Sequence, residues 1–141
     1  MRPDVARSTI APRIGETMAL LKRFDTLEVA TVDLADAVKT YRQNFGFELK
    51  PGPAGDSATL KVGGAEIRLL AGAAAAATIA ATGEGLAGLW LETEDVGQVA
   101  AVLRSAGIEP PAPKIDKGRR VLALDPKIAN QVPLFIFDRK V

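Results

Sequence analysis

The chain has 141 residues, 48% of them hydrophobic and 25% charged, with 18 basic and 17 acidic side chains and a formal net charge of +1. A chain of this size and ordinary composition buries enough surface to fold without staples, and its near-zero charge gives no bulk attraction for nucleic acid or anionic lipid. It has neither cysteine nor histidine, which excludes disulfides, thiolate nucleophiles, a Ser-His-Asp triad and imidazole metal ligands.

Residues 1–23 read as an N-terminal tail of weak order. Arg2, Arg7 and Arg13 are interrupted by Pro3, Asp4, Pro12 and Glu16, so the segment lacks the continuous apolar stretch of a secretory signal. Met18 opens MALLKRFDTLEV, a natural start just ahead of the first strand, and residues 1–17 are expected to be a loose tail or the product of a misassigned start. No run reaches the ~20 apolar residues of a membrane span, and the chain reads as cytoplasmic.

Leu27 to Thr31 is a short alternating strand. Asp33 then caps a helix whose apolar positions, Leu34, Ala37, Val38, Tyr41 and Phe45, form one stripe with Tyr41 in the core, and Gly46 stops it. Phe47 to Lys50 is a strand ended by Pro51-Gly52-Pro53. Asp56 to Val62 and Ala65 to Leu70 are strands joined by Gly63-Gly64, a dipeptide suited to a hairpin turn. The alanine-rich stretch favours a short helix near 73–81, ended by Thr82 to Gly85. Leu89 to Thr93 is the next strand, and Asp95 caps a helix carrying Val96, Val99, Ala100 and Leu103, stopped at Gly107. Ile108 to Pro113 is proline-interrupted and at best an edge strand. Arg119 to Leu124 and Val132 to Asp138 close the chain as strands around a turn at Asp125-Pro126.

The two halves repeat. At an offset of 62, Val29 falls on Leu91, Thr31 on Thr93, Asp33 on Asp95 and Arg42 on Arg104. A repeat of this length signals two similar units. The expected fold class is α+β: a first βαβββ module over 24–72, a linker with a short helix over 73–85, and a second βαβββ module over 86–141, forming a curved mixed sheet with an open cup.

The stretch VATVDLADAVKTYRQNFGFEL, an apolar strand, Asp-Leu, an amphipathic helix with Tyr-Arg near its end and then Phe-Gly-Phe, resembles the vicinal oxygen chelate superfamily of glyoxalases, extradiol dioxygenases, epimerases and bleomycin-resistance proteins. The resemblance spans Phe24 to Asp138 and implies one domain of that kind. It also implies a homodimer and four metal-ligand positions. Carried onto this chain, those positions are Thr26, Arg68, Gly88 and Phe135. One hydroxyl, one cation, one hydrogen and one ring make no site for a divalent ion, so neither a metal nor another cofactor is expected.

If those four positions mark the inward face, period-2 alternation puts Thr26, Glu28, Glu66, Arg68, Gly88, Trp90, Glu92, Phe135 and Phe137 inward. Leu27, Val29, Leu89, Leu91, Leu134 and Ile136 point outward against the helices. Rings with a few charges suit a concave small-molecule site. The candidate ligand-binding residues are therefore Thr26, Glu28, Arg68, Trp90, Glu92, Phe135 and Phe137. Each has a plainer reading. Trp90 is core or dimer packing, Phe135 and Phe137 are hydrophobic wall, and Arg68 is a structural bridge to Glu28 or Glu92 instead of an anion donor. Lys117, Arg119 and Arg120 are a basic patch or simply solvated surface.

Three functions follow. The preferred one is a metal-free glyoxalase/bleomycin-resistance-like protein binding a small, anionic or aromatic organic ligand. The alternative is a lyase, isomerase or hydrolase with Glu28 or Glu92 as acid/base and Arg68 stabilising an anion. The third is a dimerisation module with no ligand.

Overall fold

The structure is a computed structural model describing residues 21–50 and 55–140. The expectations for residues 1–20 and for Pro51-Gly52-Pro53 lie outside the described residues. Leu21 to Arg23, expected in the tail, open the first strand. The elements run β1 (Leu21–Ala30), α1 (Leu34–Phe45), β2 (Glu48–Leu49), β3 (Ser57–Val62), β4 (Ala65–Leu70), α2 (Gly72–Thr82), β5 (Gly85–Thr93), α3 (Val96–Ser105), β6 (Lys114–Asp116), β7 (Arg119–Ala123) and β8 (Leu134–Asp138). A 3-10 turn at Pro126–Ala129 precedes β8. The order is βαβββ twice with α2 between, an α+β fold with a mixed sheet.

The caps follow the sequence. The Asp33 carboxylate accepts from the Asp36 amide at 3.1 Å, and the Asp95 carboxylate accepts from the Gly97 amide at 2.8 Å. Each satisfies an amide that the helix's first turn leaves without a partner. Gly46, at φ 69°, ends α1 and returns its amide to the Arg42 carbonyl.

The backbone divides into two compact units, and β1, β5 and β8 contribute residues to both. One unit holds 24–90 and 125–135. There the hydrogen-bonded strand order is β2-β3-β4-β1-β5-β8. β1 runs parallel to β4 with Thr26 opposite Glu66 and Glu28 opposite Arg68, and β3 and β4 form the hairpin expected at Gly63-Gly64. Its core is Ala30, Leu60, Leu69, Ala71 and Ala75. The described part of the other unit is 21–23, 91–124 and 136–140. In it β5, β8, β7 and β6 follow one another in hydrogen-bonded order. Its core is Val96, Val99, Ala100, Val121, Leu122, Leu124, Ile136 and Phe137.

Two local expectations need correction. Ile108 to Pro113 forms no strand; pairing starts at Lys114, opposite Val121. Pro110, Pro111 and Pro113 have no amide to donate to a ladder, and the first residue past them takes up the pairing. Tyr41 is not core. No residue of α1 is buried, and Tyr41, Phe45 and Phe47 instead pack against one another with ring centroids 5.3 to 6.4 Å apart, Phe45 being 62% exposed.

Candidate functional site

The parallel register of β1 and β4 sets Glu28 beside Arg68 on the same face. Arg68 Nη1 donates to Glu28 Oε2 at 2.9 Å, with the two side chains 30% and 13% exposed. Of the two partners the alternation allows, Arg68 takes Glu28. The second oxygen of that carboxylate lies over Gly88 on β5. A Cβ at Gly88 would stand 2.8 Å from Glu28 Oε1 and 2.8 Å from Phe135 Cε2. Both contacts are closer than real Cβ atoms make, so any larger residue here would have to displace the Glu28 carboxylate and the Phe135 ring. Phe135 in turn stacks on Trp90, ring centroids 4.6 Å apart and planes 14° from parallel. Arg68, Glu28, Gly88, Phe135 and Trp90 thus form one continuous cluster, an ion pair running into an aromatic pair.

The remaining candidates are placed differently. Thr26 is buried and its hydroxyl donates to Asp25 at 2.8 Å. The Glu66 carboxylate takes Lys50 at 2.8 Å. Glu92 and Phe137 belong to the other unit. Glu92 is 7% exposed and accepts from Arg23 Nε at 3.1 Å and from Arg139 Nε at 3.3 Å. The guanidinium carbons of Arg119 and Arg139 lie 5.1 and 5.4 Å from the centroid of the buried Phe137 ring. Arg139 was legible in principle, since continuing the alternation of Phe135 and Phe137 by two residues reaches it. Arg23 sits on the opposite parity of β1 from Thr26 and Glu28 and gave no such signal.

The same unit carries a charge network that the sequence did not suggest. Arg120 forms a two-point pair with Asp138, at 2.9 and 2.5 Å, and also reaches Asp95 at 3.1 Å. Asp138 further accepts from the Val96 amide at 2.8 Å, at the start of α3. Burial pushes the Asp138 carboxyl up, but Arg120 and the amides of Val96 and Lys140 outweigh it and hold the pKa at about 2. The Asp95 carboxyl is lowered chiefly by the Gly97 amide, and Arg120 is raised chiefly by its bond to Asp138. These groups anchor β7, β8 and α3 to one another. Of Lys117, Arg119 and Arg120, the last is therefore a structural ligand of Asp138.

The unit that holds the cluster also has a cleft of about 610 Å³ lined by Ala77, Ala81, Leu86, Pro126, Gln131 and Pro133 among others. None of the sequence-predicted site residues lines it.

A family model, the Glyoxalase/Bleomycin resistance protein/Dioxygenase superfamily, matches residues 23–127. The chain belongs to this superfamily. Methylmalonyl-CoA epimerase from Mycobacterium tuberculosis shares the fold of this superfamily member with a TM-score of 0.70 at 23% identity, over 86% of this chain and 91% of that one. A methylmalonyl-CoA epimerase in complex with methylmalonyl-CoA and an ammonium ion has a TM-score of 0.67 and 27% identity, covering 86% and 96%. A Streptomyces coelicolor methylmalonyl-CoA epimerase variant in complex with 2-nitronate-propionyl-CoA has a TM-score of 0.67 and 26% identity, covering 86% and 99%. No curated protein matches the chain.

The four residues that the resemblance sets at metal-ligand positions, Thr26, Arg68, Gly88 and Phe135, do not fit a divalent ion. Thr26 is the one oxygen donor among them and is turned to Asp25; Arg68 brings a positive charge, bound to Glu28; the space at Gly88 is filled by that carboxylate and by the Phe135 ring. Among the described residues no group of three or more His, Cys, Asp or Glu side chains is placed to hold a metal ion. A divalent ion needs several converging oxygen, nitrogen or thiolate donors.

Proposed function

We propose that this chain is a metal-independent small-molecule-binding member of the superfamily, taking a small organic ligand with an aromatic or anionic part at Glu28, Arg68, Trp90 and Phe135. One observation carries the reading: the Arg68–Glu28 ion pair runs into the Phe135–Trp90 ring stack, and Arg68 and Phe135 stand where the resemblance expects metal ligands. Rings supply contact area and a guanidinium fixes orientation, which is the composition of a small-molecule site. The two ligand complexes among the similar structures support a small-molecule role for the scaffold. The protein is read as a cytoplasmic homodimer that uses no cofactor and binds neither nucleic acid nor membrane; no helix among the described residues is long and apolar enough to cross a membrane.

Acid/base catalysis by Glu28 or Glu92, with Arg68 stabilising an anion, is the second reading, and the epimerases among the neighbours favour it. It ranks second because guanidinium groups already hold both carboxylates.

A thermal-shift screen of aromatic and organic-acid compounds tests the first reading. Ligand at a hundredfold its Kd adds about 2.7 kcal/mol to native stability. A set of such compounds that leaves Tm unmoved sinks the reading.

A further inference from the structure

Arg68 is engaged end-on: one nitrogen, Nη1, meets one oxygen of Glu28, and the side chain keeps 30% of its surface exposed. A guanidinium has five N–H donors in a planar fork suited to two parallel bonds with a carboxylate. The pair is thus a carboxylate on a guanidinium, next to two stacked rings and nearly shielded on the acid's side, where Glu28 is 13% exposed. The neighbouring charge is spoken for, since Lys50 is held by Glu66. That leaves Arg68 as the cation of this cluster, and one guanidinium fork takes one carboxylate.

Building on the small-molecule reading above, we propose that the ligand class is aromatic monocarboxylates, and that Glu28 is an internal stand-in for the ligand's own carboxylate. The incoming carboxylate takes the guanidinium fork of Arg68 from Glu28, and the flat body of the ligand lies against the Trp90 and Phe135 rings. Glu28 then sets the affinity: it keeps the guanidinium paired while the site is free, and it competes with every anion that enters. A neutral isostere of the same shape gains from the rings but has nothing to exchange with Glu28.

Trp90 is the only tryptophan of the chain, so its fluorescence reports on this cluster alone. Benzoate and phenylacetate are titrated against benzamide and phenylacetamide on the wild type, E28Q, E28D and R68Q. The expected result is little or no preference of the wild type for either acid over its amide, because the bond gained at Arg68 is offset by the one that Glu28 loses. In E28Q, where nothing competes for Arg68, the acids bind about tenfold tighter than in the wild type while the amides are unmoved, and E28D moves the same way by less. R68Q binds the acids more weakly than the amides, because the remaining Glu28 carboxylate repels them. Equal binding of acid and amide by the wild type, unchanged in E28Q and E28D, overturns the assignment of Glu28 while leaving the aromatic site intact. No quenching by any of the four compounds in any variant, at concentrations where the same rings would stack, overturns the small-molecule reading itself.

Discussion

The carboxylate of Glu28 occupies the space that a side chain at Gly88 would need, with Oε1 standing 2.8 Å from the position of the missing Cβ. Two strands that are far apart in sequence are thereby matched at a single atom, and the match fixes what each position tolerates.

Gly88→Ala is the direct consequence. The added methyl meets Glu28 on one side and the Phe135 ring on the other. Neither is loose, because Glu28 is tied to Arg68 and Phe135 is stacked on Trp90. Overpacking of this kind costs about 1–3 kcal/mol. Chemical denaturation is expected to show that loss, together with a shifted Trp90 emission maximum. Wild-type stability with unchanged emission would mean that the cluster is looser than drawn.

Arg68→Met removes the partner of a carboxylate that is 13% exposed. An abandoned, mostly shielded charge costs about 2 kcal/mol, less than a fully buried one because solvent still reaches the pair. The double variant with Glu28→Gln should recover most of that loss, since the penalty comes from the orphaned charge. A double-mutant cycle in urea measures it, and additive single effects would show that the pair is not coupled.

Acid sensitivity should centre on Asp138. Its folded pKa is held at about 2, below the 3.8 of an ordinary aspartate. A depressed carboxylate contributes stability that is present above the unfolded pKa and is lost as the pH falls through the folded one. Roughly 2 kcal/mol should therefore disappear between about pH 4 and pH 2. Asp138→Asn should flatten the stability profile across that window. A variant with the wild-type slope would place the acid-sensitive group elsewhere.

Elemental analysis of tag-free protein purified without chelators should find zinc, nickel, iron and manganese well below one equivalent per chain, and added metal should leave Tm unchanged. A full equivalent of any one of them would overturn the metal-independent reading and move the acid/base alternative ahead of it.

Much of the fold was legible because it rests on local chemistry. Asp33 and Asp95 cap helices wherever they stand ahead of an apolar stripe, and Gly63-Gly64 between two alternating runs makes a hairpin. The site was half legible. Period-2 alternation put Glu28, Arg68, Trp90 and Phe135 on one face, since a strand's parity survives folding. It did not reveal which of Glu28 and Glu92 would take Arg68, because that depends on the register of β1 against β4. The Arg120 and Asp138 pair was invisible for the same reason: 18 residues separate the partners and no pattern links them. Tyr41 was misplaced because an apolar stripe predicts a face that wants covering, and the stripe of α1 finds its own neighbours Phe45 and Phe47 instead.

The repeat adds one consequence. At an offset of 62 Glu28 falls on Trp90, and Arg68 and Phe135 lie on the last strand of the first and second module. One copy of the duplicated unit therefore keeps a salt bridge where its sister keeps two rings. On the proposed small-molecule reading, changes to the charged pair are expected to alter which head group is accepted, and changes to the rings which body follows it.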